Sequence, residues 1–527
     1  MHVKRALGFS GLVLILSLLG LSAQAQTPVT VAGSTPGQFA VSPSGAATYR
    51  IPIQVPPGVA GMAPQLALVY NSQGGNGMLG MGWGIAGLSA ITRCPRTRAQ
   101  DGVMGGVNFD ANDRFCMDGQ RLILVGGTYG AANSEYRTEI ESFSKITANA
   151  VAGSGPESFT VKTKAGLTIE YGNTTDSRIE ARASAYAWPF ATVRVWAQNK
   201  VTDVKGNYMT LSYDEDAANG AYYPKRIDYT GNATSSPVLT PTASVQFVPT
   251  TATRTDMETG YQAGAMVKST KRIGNIQTFT GITLVKEYRL DYVTQTTGGR
   301  RSKINSMMEC DGVGGCLPAQ TITWQLNTGT GFGPTQTQTD NQFKPANGWF
   351  STSIHNRVWL ADINGDGLPD ILGATDSGLY WQLNTGTGFG PTQTQTDNQF
   401  KPANGWFSTS IHNRVWLADI NGDGMPGVLG ATDSGLYWQS VSPAGKSDVA
   451  ISIQGGLGRV VAVNYAPLPK GSGIPYVKDS GASKATYPIL DLIFPQYVVS
   501  KVEQSNGLGS TNTTNYSYGG LKAELGT

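Results

Sequence analysis

The sequence predicts an all-β protein: a large antiparallel β domain, then a repeated segment, then a short β-rich tail. Three observations favour this class. Apolar and polar residues alternate along many short stretches, glycine is abundant at 67 residues, and charged residues make up only 14% of the chain. No long amphipathic helix pattern stands out. The 527 residues are enough for two or three domains with a sizeable core.

The first 25 residues have the order of a secretory signal. Lys4 and Arg5 are followed by an uncharged apolar run, Ala6–Leu21, and then by Ala23-Gln24-Ala25, an AxA cleavage site. A transmembrane anchor is the alternative, but the apolar run is shorter than the ~20 residues that cross a bilayer. We therefore expect cleavage after Ala25 and a secreted, extracellular mature chain. No later stretch is long and apolar enough for a membrane span.

The charge of the mature chain is close to neutral. Without Lys4 and Arg5 it holds 37 Lys and Arg against 36 Asp and Glu, a net charge of +1. This balance argues against nucleic acid or an acidic membrane surface as a partner.

Residues 26–320 are predicted to form the large β domain, because period-2 alternation recurs between glycine- and asparagine-rich turns. The clearest strand candidates are Tyr49–Val55, Leu66–Tyr70, Ala191–Ala197, Asn207–Tyr213 and Leu284–Val293. The segment Gly75–Gly80 matches GxGxxG, but the following Met-Gly-Trp-Gly is too glycine-rich for the helix that a dinucleotide site needs. We interpret it as a loop.

Four cysteines fit an oxidising compartment. We expect Cys94 to pair with Cys116 and Cys310 with Cys316, the second pair across a glycine-rich turn. Sequence alone allows three connectivities, and four free or buried thiols are the alternative. The spacing does not suit a zinc site.

A 57-residue unit occurs twice almost letter for letter, from Trp324 to Tyr380 and from Trp381 to Tyr437. Such a period indicates a repeat architecture in which each unit is one supersecondary element. Each copy contains an acidic loop, DINGDGLPD at 362–370 and DINGDGMPG at 419–427.

The acidic loops place oxygen ligands at the spacing that Ca²⁺ favours. Apolar, β-branched flanks indicate that they join strands rather than the helices of an EF-hand. Position 9 is Asp370 in the first loop but Gly427 in the second, so the second site is predicted to be weaker. The alternative is a metal-free turn, since Asp, Asn and Gly favour turns unaided. The candidate ligands are Asp362, Asn364, Asp366, the Leu368 carbonyl and Asp370, then Asp419, Asn421, Asp423 and the Met425 carbonyl.

The repeat resembles the FG-GAP repeat of integrin-type β-propellers, through NTGTGFG at 327–333 and 384–390 followed by the DxNxDG loop. The resemblance implies calcium-binding blades. Two blades cannot close a propeller, which commonly has four to eight, so other segments would complete the sheet or leave it open.

A second resemblance covers most of residues 36–310. FAVSPSGAATYRIPIQVPPG at 39–58, YNSQGGNGMLGMGWGIAGLSAITRCPRTRAQDG at 70–102 and DRFCMDGQRLIL at 113–124 are similar to the N-terminal domain shared by SpvB-type virulence proteins and insecticidal Tc toxin B components. RVWAQNKVTDVKGNYMTLSYD at 194–214 and YYPKRIDYTGN at 222–232 fit the same family. In that family FG-GAP repeats follow, and residues 455–518 resemble the linker before an Rhs shell.

The chain departs from this family in ways that bear on activity. It stops at Thr527, where the family continues into the Rhs shell, and no ExE pair accompanies Ser351–Ser353 or Ser408–Ser410, so the ADP-ribosyltransferase pattern is absent. His355 and His412 are repeat equivalents, with no Ser/His/Asp or Cys/His arrangement to nominate. We expect no enzyme activity and no catalytic residues.

The predicted organisation is a signal peptide (1–25), an SpvB-like β domain (26–320), two FG-GAP-type repeats (321–439) and a toxin-B-like linker (440–527), apparently truncated before Rhs repeats. The resemblance implies a secreted scaffold that encloses or docks a toxin-complex or Rhs-type partner. The alternative is a Ca²⁺-dependent adhesion module for a host-surface protein or glycan. A truncated gene product without present activity is also compatible with the sequence.

Overall fold

The computed structural model is nearly all-β, with 56% of residues in strands and 2% in helices, which confirms the predicted all-β class. Within the part of the chain that the structure describes, the helical elements are one short α-helix, α1 (Arg98–Asp101), and one 3₁₀ turn at Gly481–Ser483. Among the described residues, no helix has the length and apolar character needed to cross a membrane. The structure describes residues 29–30, 32–181, 192–293, 301–325, 358–361, 363, 370–375, 378–384, 389–395, 415–418, 427–432, 435–439, 448–468, 476–477, 479, 481–487, 489–491, 496–506 and 509–524.

The N-terminal region forms a four-stranded antiparallel sheet in the order β2-β3-β4-β7, with β5 and β6 as a minimal hairpin beside it. Alternation explains the sheet, since Ala47, Tyr49 and Ile51 are buried while Arg50 between them is exposed. The strands are β1 (Val29–Thr30), β2 (Gln38–Val41), β3 (Ala47–Pro52), β4 (Ala67–Asn71), β5 (Asn76–Gly77), β6 (Gly80–Met81) and β7 (Trp83–Ala86).

The next nine strands include a closed eight-stranded barrel, which the sequence did not predict. Closure follows from pairing around the ring β8-β9-β10-β11-β12-β13-β14-β16, with β16 returning to β8. The strands are β8 (Ala90–Cys94), β9 (Arg114–Met117), β10 (Gln120–Gly126), β11 (Glu135–Thr138), β12 (Lys145–Asn149), β13 (Ser158–Lys162), β14 (Thr168–Tyr171), β15 (Arg178–Glu180) and β16 (Val193–Thr202).

Aromatic side chains fill this barrel. The Trp196 ring lies edge-on to Phe115 and Phe159, with centroids 5.3 and 5.1 Å away, and Tyr136 packs against both phenylalanines. An eight-stranded barrel is just wide enough to be filled by side chains. Its interior is therefore a packed core.

A long antiparallel sheet continues from β16 in the order β17-β18-β19-β22-β23-β24-β26. Its buried residues share one core with the N-terminal sheet, so the two sheets pack face to face. The strands are β17 (Asn207–Asp216), β18 (Ala221–Asn232), β19 (Ala243–Pro249), β20 (Thr259–Gln262), β21 (Ala265–Lys268), β22 (Ile273–Thr280), β23 (Thr283–Tyr292), β24 (Ile304–Asp311), β25 (Gly315–Cys316) and β26 (Gln320–Gln325).

The repeat segment forms two small antiparallel sheets, β27-β28-β29-β30 and β31-β32-β33. Their registers are equivalent, since Val358 pairs with Gly373 as Val415 pairs with Gly430, 57 residues later. Propeller closure remains a prediction. The strands are β27 (Val358–Ala361), β28 (Asp370–Thr375), β29 (Gly378–Asn384), β30 (Phe389–Gln395), β31 (Val415–Ala418), β32 (Gly427–Thr432) and β33 (Gly435–Gln439).

The C-terminal strands extend the long sheet, because β34 pairs with β26 and is followed by β35, β38 and β39. The predicted domain boundaries remain predictions, but residues on both sides of the repeat segment belong to one sheet. The strands are β34 (Val449–Gln454), β35 (Val460–Pro467), β36 (Tyr476–Val477), β37 (Ile489–Asp491), β38 (Tyr497–Ser505), β39 (Thr511–Asn515), β40 (Tyr518–Gly519) and β41 (Lys522–Glu524).

Candidate functional site

The GxGxxG segment is a tight hairpin, in agreement with the loop interpretation. β5 and β6 pair with each other, and strand β7, rather than a helix, follows at once. Gly80 has a φ of 80°, and a Cβ there would lie 2.3 Å from the Ser302 carbonyl oxygen. The glycine therefore serves close backbone packing, and there is no helix N-terminus to receive a phosphate.

A buried ion pair anchors this hairpin. The Arg254 guanidinium lies 2.9 Å from an Asp256 carboxylate oxygen, and both side chains are almost fully buried. Arg254 Nη2 donates to Asn76 Oδ1 at 2.8 Å, and Asn76 Nδ2 donates to Asp256 Oδ2 at 2.9 Å. The Ser302 backbone N–H donates to the same carboxylate at 2.6 Å. These contacts join three segments that are far apart in sequence.

The pKa of Asp256 reflects that environment. Burial alone would raise it, but the hydrogen bond and positive charge of Arg254, together with the bonds from Ser302 and Asn76, lower the pKa to about 2. The carboxylate is therefore charged at neutral pH. Sequence reasoning missed this cluster, because no local pattern links Arg254 to Asn76.

A pocket of about 810 Å³ lies over the N-terminal sheet beside the hairpin. Its lining includes Thr48, Arg50, Val69, Asn71 and the glycines of the 74–84 segment. No carboxylate, imidazole or thiol is among the lining residues that the structure describes. The pocket offers an apolar floor with a guanidinium and amides, groups that bind a ligand by contact and hydrogen bonding.

The chain leaves the long sheet after Gln325 and returns to it at Asp448, and these two residues are neighbours in space. The Asp448 backbone N–H donates to the Gln325 carbonyl oxygen at 2.9 Å. Lys303, whose side chain has no exposed surface, lies 2.5 Å from Asp448 Oδ1, and Arg301 lies 3.3 Å from Oδ2. Lys303 and Arg301 therefore fix Asp448, the residue at which the chain returns to the sheet. The sequence did not predict this junction.

Most of the predicted calcium ligands lie outside the described residues. These are Asp362, Asn364, Asp366, Leu368, Asp419, Asn421, Asp423 and Met425. Asp370 is described: it is fully buried, and its Oδ2 accepts the Ile363 backbone N–H at 2.9 Å. This bond closes the first loop onto its last acidic residue. A buried carboxylate at that place fits a cation-binding loop and also fits an Asx-stabilised turn.

Both predicted disulfides are present in the structure. Cys94–Cys116 joins β8 to β9 in the barrel, and Cys310–Cys316 joins β24 to β25. The predicted structural roles of His355, His412, Ser351–Ser353 and Ser408–Ser410 concern positions outside the described residues.

Family comparisons agree with both resemblances. The model described as Salmonella virulence plasmid 65kDa B protein (SpvB) matches residues 41–237, and the model of the FG-GAP-like repeat matches residues 362–430. The chain thus contains a segment similar to the SpvB family and a segment similar to the FG-GAP-like repeat. A comparison with curated proteins found no match.

Several solved structures are similar to this chain, including the following three. One is the N-terminal domain of the effector protein SpvB from Salmonella typhimurium strain LT2, 19% identical, covering 50% of this chain and 98% of that one, with a TM-score of 0.39. The second is the Tc holotoxin pore of Photorhabdus luminescens, 16% identical, covering 93% of this chain and 24% of that one, with a TM-score of 0.45. The third is TcdB2-TccC3, 16% identical, covering 97% of this chain and 27% of that one, also with a TM-score of 0.45. This chain therefore spans about a quarter of the toxin-complex chains.

Proposed function

We propose that this chain is a secreted, non-catalytic scaffold that docks or helps to enclose a toxin-complex or Rhs-type protein. The observation that carries the proposal is the SpvB family match over residues 41–237. The sheet geometry supports it, because one hydrogen-bonded sheet runs from the barrel to β39 and joins both sides of the repeat segment. Such a sheet is a rigid frame on which a partner can be held.

The buried polar groups support a structural role. The Arg254 and Lys303 clusters are internal ion pairs, and their hydrogen bonds and salt bridges join segments that are far apart in sequence. The pocket over the N-terminal sheet contains no carboxylate or imidazole among its described lining residues, so it offers no acid–base pair there.

Co-expression tests the scaffold. The mature chain from Gln26 would be produced together with an Rhs-repeat protein of the toxin-complex class, and the mixture analysed by light scattering coupled to size exclusion. We expect a stable complex of defined mass. Two species that elute separately at micromolar concentration would contradict docking, and turnover of NAD by the chain would contradict the non-catalytic role.

Calcium-dependent adhesion to a host-surface protein or glycan is a second candidate function. The first acidic loop favours it, because Asp370 is buried and closes that loop. Adhesion predicts that labelled protein binds cells in millimolar Ca²⁺ and is released by EDTA, whereas Asp362→Ala protein does not bind. Binding that is unaffected by EDTA would exclude this function and leave the scaffold proposal untouched.

Export is tested separately. N-terminal sequencing of protein recovered outside the cytoplasm should begin at Gln26, because the AxA site ends at Ala25. A first residue of Met1 on exported material would contradict cleavage.

A further inference from the structure

At one end of the strands of the long sheet, the hairpin turns carry a row of exposed apolar side chains, at most two on each turn. We name this row the tip edge; its members are Ile140, Phe143, Val204, Val238, Leu239, Ile282, Val313 and Leu457. Of the seven most exposed large hydrophobic residues that the structure describes, six lie here, and Ile282 and Val313 are 99% and 93% exposed. Isolated exposed apolar residues are common, but their concentration on one edge is not.

Pairing and turn contacts place these turns side by side. On the barrel side, Lys145 pairs with Lys162, which brings the 139–144 loop next to the 163–167 turn, where the Lys164 ammonium lies 4.7 Å from the centre of the Phe143 ring. A Cβ on Gly166 would lie 2.9 Å from Val204.

The row continues along the open part of the sheet. The Ala233 N–H donates to the Gly206 carbonyl at 2.8 Å, and the Gly281 N–H donates to the Thr242 carbonyl at 2.6 Å. A Cβ on Gly312 would lie 1.9 Å from the Leu284 oxygen, and one on Gly456 would lie 2.4 Å from the Pro318 oxygen. The turns bearing Val204, Leu239, Ile282, Val313 and Leu457 are thus consecutive neighbours.

Neither turn formation nor packing explains these residues. Ile282 is the second residue of a two-residue loop between the paired Thr280 and Thr283, a place that favours Asn, Gly, Asp or Ser. Phe143 has a φ of 56°, a conformation rarely adopted by an aromatic residue, and it remains mostly exposed. Because Ile282 and Val313 bury almost none of their surface, folding gains almost nothing from them, and we look for their role in a contact outside the chain.

We propose that the tip edge inserts into the interface of a lipid bilayer. Hairpins repeat about every 10 Å, two strand spacings, so the apolar groups are separated by polar turn residues. A protein interface needs a contiguous, packed core, whereas a fluid bilayer interface accepts separate side chains. The proposal is independent of any toxin partner.

Charge along the tip edge specifies the kind of lipid. Its turns carry three cations, Lys164, Lys205 and Arg459, against four carboxylates, Glu139, Glu141, Asp203 and Asp311, so the net charge of these groups is −1. Asp203 and Asp311 also accept backbone N–H groups of their own turns. Binding should therefore be driven by apolar insertion and be nearly as strong on zwitterionic as on anionic lipid.

Vesicle flotation with the mature chain and phosphatidylcholine vesicles tests the proposal. The triple variant Ile282→Ser, Val313→Ser, Leu457→Ser should lower the partition coefficient at least tenfold. A matched control, Val59→Ser, Met104→Ser, Tyr261→Ser, removes three exposed apolar residues elsewhere and should change it less than twofold. Tyr261 lies at the opposite edge, in a hairpin bonded to the β17–β18 turn. Raising NaCl from 0.1 to 1 M should leave binding of the unchanged chain within twofold.

A second measurement reads insertion directly. All four cysteines are in disulfides, so Ile282→Cys, at a turn outside both disulfide loops, provides a single thiol for an environment-sensitive dye. We expect a blue shift on vesicles for Ile282→Cys and none for Tyr261→Cys. Absence of vesicle binding, equal binding by the triple variant, or no shift at position 282 would overturn the proposal. A dimer in solution that the triple variant abolishes would also overturn it, because the edge would then be a protein interface.

Discussion

At the scale of single residues, the buried charges carry the most specific information. Arg254 donates to Asp256, to Asn76 and to the Gly77 carbonyl, so its guanidinium is satisfied although it is almost fully buried. Arginine suits this place because its planar guanidinium donates hydrogen bonds in several directions at once. Removal of one partner leaves an uncompensated buried charge, which costs far more than a surface pair contributes.

Asp256→Asn should therefore destabilise the protein at neutral pH by on the order of 3 kcal/mol. The effect should depend on pH in a defined direction. The folded pKa of about 2 lies below the ordinary 3.8, so the carboxylate stabilises the fold above pH 4, and this contribution is lost as pH falls from 4 to 2. Urea unfolding at pH 7, 4, 3 and 2 measures it, with the difference between wild type and variant shrinking in that window.

The matched control for this test is Asp291→Asn, since Asp291 lies on an exposed strand position. Its difference from wild type should be small at every pH. A constant difference for Asp256→Asn between pH 7 and pH 2 would contradict the assigned role of the carboxylate.

At the scale of elements, the calcium affinities of the two acidic loops can be compared within one chain. The first can offer three carboxylates, Asp362, Asp366 and Asp370, while the second can offer Asp419 and Asp423. Ca²⁺ affinity follows ligand charge and number, and roughly 10⁻⁴ to 10⁻³ M is sufficient for an extracellular module. We predict a tighter first site: Gly427→Asp should strengthen the second, and Asp370→Gly should weaken the first, both measured by calorimetric titration.

Two titration results together would contradict calcium binding. If Gly427→Asp leaves the titration unchanged and Asp362→Ala also has no effect, the loops are turns only. Bound Ca²⁺ should otherwise raise the melting temperature by mass action.

Each disulfide joins two neighbouring strands, β8 to β9 and β24 to β25. Cys94–Cys116 closes a loop of 22 residues and Cys310–Cys316 one of 6. In the chain-entropy model the longer loop contributes ~3 kcal/mol and the shorter one less. Replacing both cysteines of a pair by serine should lower the denaturation midpoint more for 94/116 than for 310/316. Equal or reversed shifts would show that loop entropy does not dominate.

At the scale of the whole molecule, the repeat segment is an insertion in a continuous sheet. β26 and β34 pair as neighbours, with Ile322 opposite Ile453, although residues 326–447 lie between them in sequence. Tyr70 of the N-terminal sheet accepts the Ala450 backbone N–H at 2.8 Å, so the strand after the insertion also contacts the beginning of the chain. The core of the sheet therefore does not depend on the repeats.

We expect a chain in which Asn-Gly replaces residues 326–447 to fold. The link joins Gln325 to Asp448, whose backbone groups already share a hydrogen bond, and Asn-Gly suits a tight turn between antiparallel strands. Circular dichroism and a thermal melt should show a cooperative β protein with both disulfides formed. Removal of the β22–β23 hairpin from the interior of the same sheet is the control, and should prevent folding. An aggregated insertion-free chain would contradict the prediction.

Local sequence determined much of this protein. Strand alternation predicted β3, β4, β17 and β23 to within a few residues, because side-chain period 2 is encoded by adjacent positions. Turn chemistry and spacing predicted both cysteine pairs, and glycine content predicted that Gly75–Gly80 is not a nucleotide-binding turn. In each case the partners lie close together in sequence, so a local pattern contains the information.

Only the tertiary structure decided which distant strands pair. The barrel closes where Val195 meets Thr92, and the sheet resumes where Ile322 meets Ile453. An alternating strand has the same pattern whichever neighbour it takes, so the sequence did not distinguish a closed barrel from an open sheet. The Arg254–Asp256–Asn76 cluster depends on these pairings, because a buried charge finds its hydrogen-bond partners only after remote segments have come together. The tip edge depends on them too, because its turns become neighbours only when the strands that carry them pair.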